Sequence, residues 1–228
     1  MCQSSVPNSN KNLVAYRNLT FLLIILWWIF ANAAYGIVYG YESSLYDIIM
    51  TRDKLDNYNG TVFAMGQILA TITSLSVAVP IILRFTSKNQ HFTVGLVGWF
   101  CTGALGVMAW WSNLAPMCTG FVLYYGSYHF INAFVSAETG RVVNSNTRTL
   151  QSSGDPGRDC YAMVVLCNNV VALVLSVLLN FIFFTWYALD LFLVYRILWA
   201  YQTAFTAIFS LGALGLYSWH RLQCSPQS

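Results

Sequence analysis

Residues 19–41 read LTFLLIILWWIFANAAYGIVYGY, a stretch without an acid or a base. At about 1.5 Å per residue, a helix of this length crosses the ~30 Å hydrocarbon core of a bilayer. Further runs of the same kind lie at about 60–83, 92–111, 115–137, 161–187 and 191–219, six in all. Arg196 is the one charged side chain within them. The chain therefore reads as an all-α membrane protein, a six-transmembrane-helix bundle over 18–221. Residues 1–17, polar and rich in Ser and Asn, read as a disordered cytoplasmic tail, and 222–228 as a second tail.

Composition points the same way. Hydrophobic residues make up 57% of the 228 and charged residues 8%, against about 25% charged in typical soluble domains. The net charge of +3 is spread along the gaps and makes no nucleic-acid patch. Lys and Arg fall in alternate gaps. Lys11, Arg17, Arg84, Lys88, Arg141, Arg148, Arg158 and Arg221 lie on one side, eight in all; Arg52 and Lys54 lie on the other, beside Glu42, Asp47, Asp53 and Asp56. Cytoplasmic loops carry the excess of Lys and Arg, so both termini are expected in the cytoplasm. Lys11, Arg17, the run 19–30 and Ala31-Asn32-Ala33 imitate a cleavable signal peptide. The apolar run continues past that site to Tyr41, which favours a first span instead.

The gaps are unequal. Glu42–Asn59 reads as an acidic outer loop, 144–157 as a flexible Ser/Asn/Gly/Pro-rich inner loop, and the third and fifth gaps as tight turns. The cysteines form no disulfide framework: Cys2, Cys160 and Cys224 fall on the reducing side, Cys101 and Cys167 in the membrane, and Cys118 near an outer end. No C-x-x-C or Cys/His cluster suggests a metal. The sequon Asn59-Gly60-Thr61 abuts the second run, too close to the bilayer for glycosylation.

Polar side chains inside the runs form stripes. Trp28, Asn32, Tyr35, Tyr39 and Glu42 recur at spacings of four, three, four and three, one helical face. Tyr125, His129, Asn132 and Ser136 do the same on the fourth run, with Tyr128 beside them. The second run carries Gln67, Thr71 and Ser74, and the fifth Asn169, Ser176 and Asn180. Gly66, Ala70 and Ser74 make a small-residue ridge that reads as packing. Gly95, Gly98, Gly103 and Gly106 suggest close packing of the third run, with Trp99, Trp110 and Trp111 as interface residues. The sixth run is mainly apolar and aromatic.

A single Asn, Gln, Ser or Thr in a span reads as interhelical glue. The stripes together, two of them combining Asn with His or Glu and several Tyr, read as walls of a water-filled path, since ionisable groups in membranes face cavities. Arg196 admits two readings, outward snorkelling or a place in the cavity. Enzyme signatures such as G-x-S-x-G, H-E-x-x-H and Walker A are absent from the sequence. His129 and Glu138 stand about 13 Å apart along a helix, too far for an acid–base pair. The chain reads as a non-enzyme, with no cofactor and no metal.

The residues resemble the C-terminal half of the reduced folate carrier/thiamine transporter family, vitamin carriers of the major facilitator fold. Trp27-Trp28-Ile29-Phe30 with Ala33, Tyr35, Val38 and Tyr41 is similar to that family's seventh helix. Tyr58-Asn59-Gly60 with Ile72-Thr73-Ser74 is similar to the eighth. Gly126-Ser127-Tyr128-His129-Phe130 is similar to the Gly-Ser-Tyr-Gln-Phe stretch of the tenth. Tyr161-Ala162-Met163-Val164 with Asn168, Ala172 and Phe181-Ile182 is similar to the eleventh.

The resemblance implies an inverted three-plus-three repeat with a site near the midplane, and a water-soluble vitamin as substrate. It also implies a multi-pass place in the plasma membrane. The path would be lined by Asn32, Tyr35, Tyr39, Glu42, Gln67, Tyr125, Tyr128, His129, Asn132, Asn169 and Ser176. Folate-carrying members hold an Arg where Tyr125 stands and a Lys where Ser176 aligns. Folates are dianions that want those charges, whereas an aromatic path with Glu42 at its outer mouth suits cationic thiamine; the expectation leans to thiamine. The family has twelve helices, and Met1 falls where its central loop would lie. The expectation is a partial product or a half-size carrier that pairs with a second six-helix half or a homodimer, and does not transport alone. The rival class is a non-transporting six-span scaffold or receptor-like fragment.

Overall fold

The computed structural model describes residues 8–53, 58–147 and 156–224. Among them lie seven α-helices: α1 Asn8–Asp53, α2 Asn59–Ala78, α3 Pro80–Lys88, α4 Gln90–Trp110, α5 Leu114–Thr147, α6 Pro156–Asn180 and α7 Leu191–Cys224. A π-helical turn, Phe181–Trp186, extends α6. Five helices are long and apolar enough to cross a membrane: α1, α2, α4, α6 with its π turn, and α7. The fourth run forms α5, which is long but not among those five. Its Tyr125, Tyr128, His129 and Asn132 interrupt the apolar stretch.

Several sequence boundaries move. The first tail is shorter than expected, because α1 begins at Asn8. Residues 1–7 and 225–228 lie outside the described residues. The expected outer loop is mostly helix, since α1 continues to Asp53. Leu45, Tyr46, Ile49 and Met50, at helical spacing, are buried in the core and hold that extension. Its end is tied down where Arg52 donates to the Ser112 carbonyl at 2.7 Å. Residues 54–57, with Lys54 and Asp56, are outside the described set. Finally, the second run is not one helix. Val79 is extended (φ −68°, ψ 121°) and Pro80 starts α3, as a residue before proline disfavours helix and proline suits the first helical position.

The inner loop also shortens from both sides, with α5 reaching Thr147 and α6 starting at Pro156. Residues 148–155, which include Arg148, lie outside the described set. Arg158, Cys160 and Tyr161 fall on helix α6.

α1 is central, touching α5, α6 and α7; α2 lies along α5, and α4 lies between α5 and α7. Small residues allow the close approaches. A Cβ on Gly126 would meet Leu69 Cγ at 2.6 Å, and one on Gly98 would meet Trp27 Cζ2 at 2.9 Å. The Gly66–Ala70–Ser74 ridge faces α5: Gly66 lies against Phe121 and Tyr125, and Ser74 Oγ donates to the His129 carbonyl at 3.4 Å. Ile68, Ile72, Leu173, Val177, Leu211 and Leu214 are exposed on α2, α6 and α7. So much apolar surface would be a liability in water and suits lipid.

Candidate functional site

The two strongest stripes meet each other. α1 and α5 run antiparallel, so residues descending one helix pair with residues ascending the other. Trp28 Nε1 donates to Asn132 Oδ1 at 3.0 Å. One turn on, Tyr128 Oη donates to Asn32 Oδ1 at 2.6 Å. Tyr35 Oη lies 3.3 Å from His129 Nε2, the donor depending on the tautomer. Farther out, Tyr46 meets Phe121 edge to face, ring centres 6.1 Å apart.

At the middle of this seam lies an aromatic nest. The rings of Tyr35 and Tyr128 stack at 3.7 Å and 7°. Tyr125 leans on His129 at 4.5 Å, and Tyr39 lies 5.7 Å from Tyr35. Two neighbouring helices add amides. Gln67 of α2 donates to Tyr125 Oη at 2.6 Å. Asn32 Nδ2 donates to Asn169 Oδ1 of α6 at 3.4 Å. Eight of the eleven path residues expected from sequence thus gather in one hydrogen-bonded and stacked group, and Asn132 pairs with Trp28 one turn away.

The nest has an inner wall and an open edge. Tyr125 and Tyr128 are buried, while Asn32, Tyr35, His129 and Asn132 are half-buried. Tyr39, Gln67 and Asn169 are exposed. Polar atoms with a satisfied partner on one side and an open approach on the other can exchange partners with a ligand at small cost. Flat tyrosine faces present stacking surface and attract cations.

Glu42 and Ser176 stand apart from the nest. Glu42 was expected at an outer mouth, yet it is 9% exposed, because α1 continues past it and packs. Its Oε2 and the Tyr46 Oη, one turn on, are buried without a hydrogen-bond partner. Ser176 is buried under α1, where a Cβ on Gly36 would meet its Oγ at 2.8 Å. Arg196 lies away from the seam, its guanidinium 4.8 Å from the Trp110 ring centre and its Nε 3.4 Å from the Ala109 carbonyl. Sequence reasoning passed over Phe63, which tilts against Tyr39 at 6.0 Å. Its position one turn before Gln67 was the available signal. Among the described residues no group of His, Cys, Asp and Glu is gathered to hold a metal.

The reduced folate carrier family model matches residues 3–197. A reduced folate transporter of Cricetulus griseus is 32% identical over 131 residues. That match covers 55% of this chain and 24% of the relative, so the chain spans about a quarter of that protein in the matched region. The family model covers most of the sequence, and on that match the chain belongs to the reduced folate carrier family.

Proposed function

We propose that this chain is a vitamin-carrying half of a membrane transporter, with the α1–α5 seam as one wall of the substrate path. The observation that carries the reading is the Tyr35–Tyr128 stack within a nest of hydrogen-bonded amides and His129. A flat nitrogen heterocycle is bound by that pairing of ring faces with amide donors and acceptors. Folate is the first candidate, from the relative's name. α5 serves as the sixth span, its low apolar content being the price of the polar wall. Both termini face the cytoplasm of a plasma-membrane protein, and the open edge at Tyr39, Gln67 and Asn169 faces a second six-helix half or a second copy.

Thiamine is kept as a second reading for one reason. Among the described residues of the nest there is no Lys or Arg, and a dianion gains little from neutral tyrosines. Nothing in the comparisons favours thiamine. Uptake of radiolabelled folate and thiamine, with the chain expressed alone and beside a complementary six-helix half, tests the proposal. The expected result is uptake of one vitamin in the paired arm only. No uptake of either vitamin in any combination sinks the transport claim.

A further inference from the structure

A second polar feature lies at the end of the bundle that carries most of the Lys and Arg, away from the α1–α5 nest. Helix α3 leaves α2 at the Val79–Pro80 break and holds Arg84 and Lys88 one turn apart, both exposed. Arg141, near the end of α5, joins them around a cavity of about 400 Å³, completed by Leu83 and Ser87. Arg141 is 54% exposed and bonds Glu138 at 2.7 Å; the Glu138 side chain is 7% exposed. Among the described residues Glu138 is the one carboxylate paired with these cations, so the cavity keeps a surplus of two positive charges. Neither Arg84 nor Lys88 has a carboxylate within ion-pair distance among the described residues. Ser87 Oγ is buried there without a hydrogen-bond partner.

Helix α3 is also two-faced. Ile81 and Phe85, one turn apart, are 79% and 60% exposed. Two large apolar side chains so exposed beside two cations match a short helix lying in the bilayer interface. The apolar pair enters the acyl boundary, and Arg84 and Lys88 are held at headgroup depth. Basic pockets between membrane helices bind anionic headgroups.

We propose that this cavity is a binding site for the phosphate headgroup of an anionic membrane lipid. Arg84, Lys88 and Arg141 supply the charge, and Ser87 supplies a hydroxyl donor to a phosphate oxygen. The acyl chains lie along Ile81 and Phe85. A soluble phosphate ion satisfies the same cations but has no use for that apolar pair, which decides the source.

Native mass spectrometry of the full chain, purified in neutral detergent, measures retention of phosphatidylglycerol and phosphatidylcholine. Phosphatidylglycerol is expected to bind more tightly. Replacing both cations (Arg84→Gln with Lys88→Gln) weakens it about 30-fold, from the usual contribution per surface cation, and leaves phosphatidylcholine unchanged. Arg52→Gln, at the opposite end, changes neither. Glu138→Gln releases Arg141 and tightens phosphatidylglycerol, a gain that misfolding cannot imitate. Equal retention of the two lipids overturns the proposal, as does wild-type retention of phosphatidylglycerol by the double variant. Thermal protection by inorganic phosphate without any lipid preference assigns the site to a soluble anion and overturns it too.

Discussion

Tyr35 is the residue on which the site turns. It stacks on Tyr128, lies edge-on to His129, and reaches His129 Nε2 with its hydroxyl. The two roles separate by mutation. Tyr35→Phe keeps the ring and loses one hydrogen bond, which is worth about 1 kcal/mol; vitamin binding is expected to weaken by several-fold. Tyr35→Ala removes the ring face as well and costs about tenfold or more. Equilibrium binding of radiolabelled vitamin to the purified chain reads both. Gly126 makes a prediction about stability instead of binding. A Cβ there would meet Leu69 Cγ at 2.6 Å, so Gly126→Val is expected to destabilise by about 1–3 kcal/mol through overpacking. A lower melting temperature in detergent is the readout, and an unchanged one removes the close approach from the account. At this scale the sequence was informative where periodicity spoke. The spacing of Asn32, Tyr35 and Tyr39 put them on one face, and that face is where they meet α5. Glu42 has the same spacing and a different fate. Its burial goes with the packing of Leu45 and Tyr46 one turn farther out, beyond the end of the apolar run.

At the scale of elements, the instructive case is α1. Apolar runs end where charges begin, so Glu42 closed the run in the sequence reading. A helix ends where its packing face ends, and Leu45, Tyr46, Ile49 and Met50 continue that face as far as Asp53. The charges Asp47 and Arg52 sit on the exposed side. Ile49→Pro is expected to cost about 3 kcal/mol or more, by removing a backbone hydrogen bond inside the helix. Ile48→Ala, on the exposed side, is expected to be tolerated. Folded yield by size-exclusion chromatography separates them; equal yields would mean that the extension contributes nothing. The α2–α3 break was legible in principle, since Val79-Pro80 is a local stop signal. The continuous hydropathy of 60–83 masks that stop. Helix α5 shows the reverse. Its polar stripe lowers its apolar content below that of the five helices long and apolar enough to cross a membrane, so the feature that suggests a path also weakens its reading as a span.

For the whole molecule, the sequence conveyed the all-helical architecture and five of the six apolar spans. It could not convey which stripe faces which, because that depends on the antiparallel meeting of helices separated by three other elements. Nor does the open edge at Tyr39, Gln67 and Asn169 follow from any local pattern. The proposed topology makes a simple prediction: epitopes at either end of the chain are reached by antibody only after cells are permeabilised. Detection of one end in intact cells contradicts it. The central claim is that the α1–α5 nest contacts substrate and is more than interhelical glue. The most direct measurement is equilibrium binding of radiolabelled folate and thiamine to the purified full chain, comparing wild type, Tyr35→Ala and the distant control Tyr217→Phe. The account predicts saturable binding of one vitamin by wild type and by Tyr217→Phe, and about tenfold weaker binding by a folded Tyr35→Ala. Equal affinity in Tyr35→Ala and wild type would contradict it and leave the stack as packing alone.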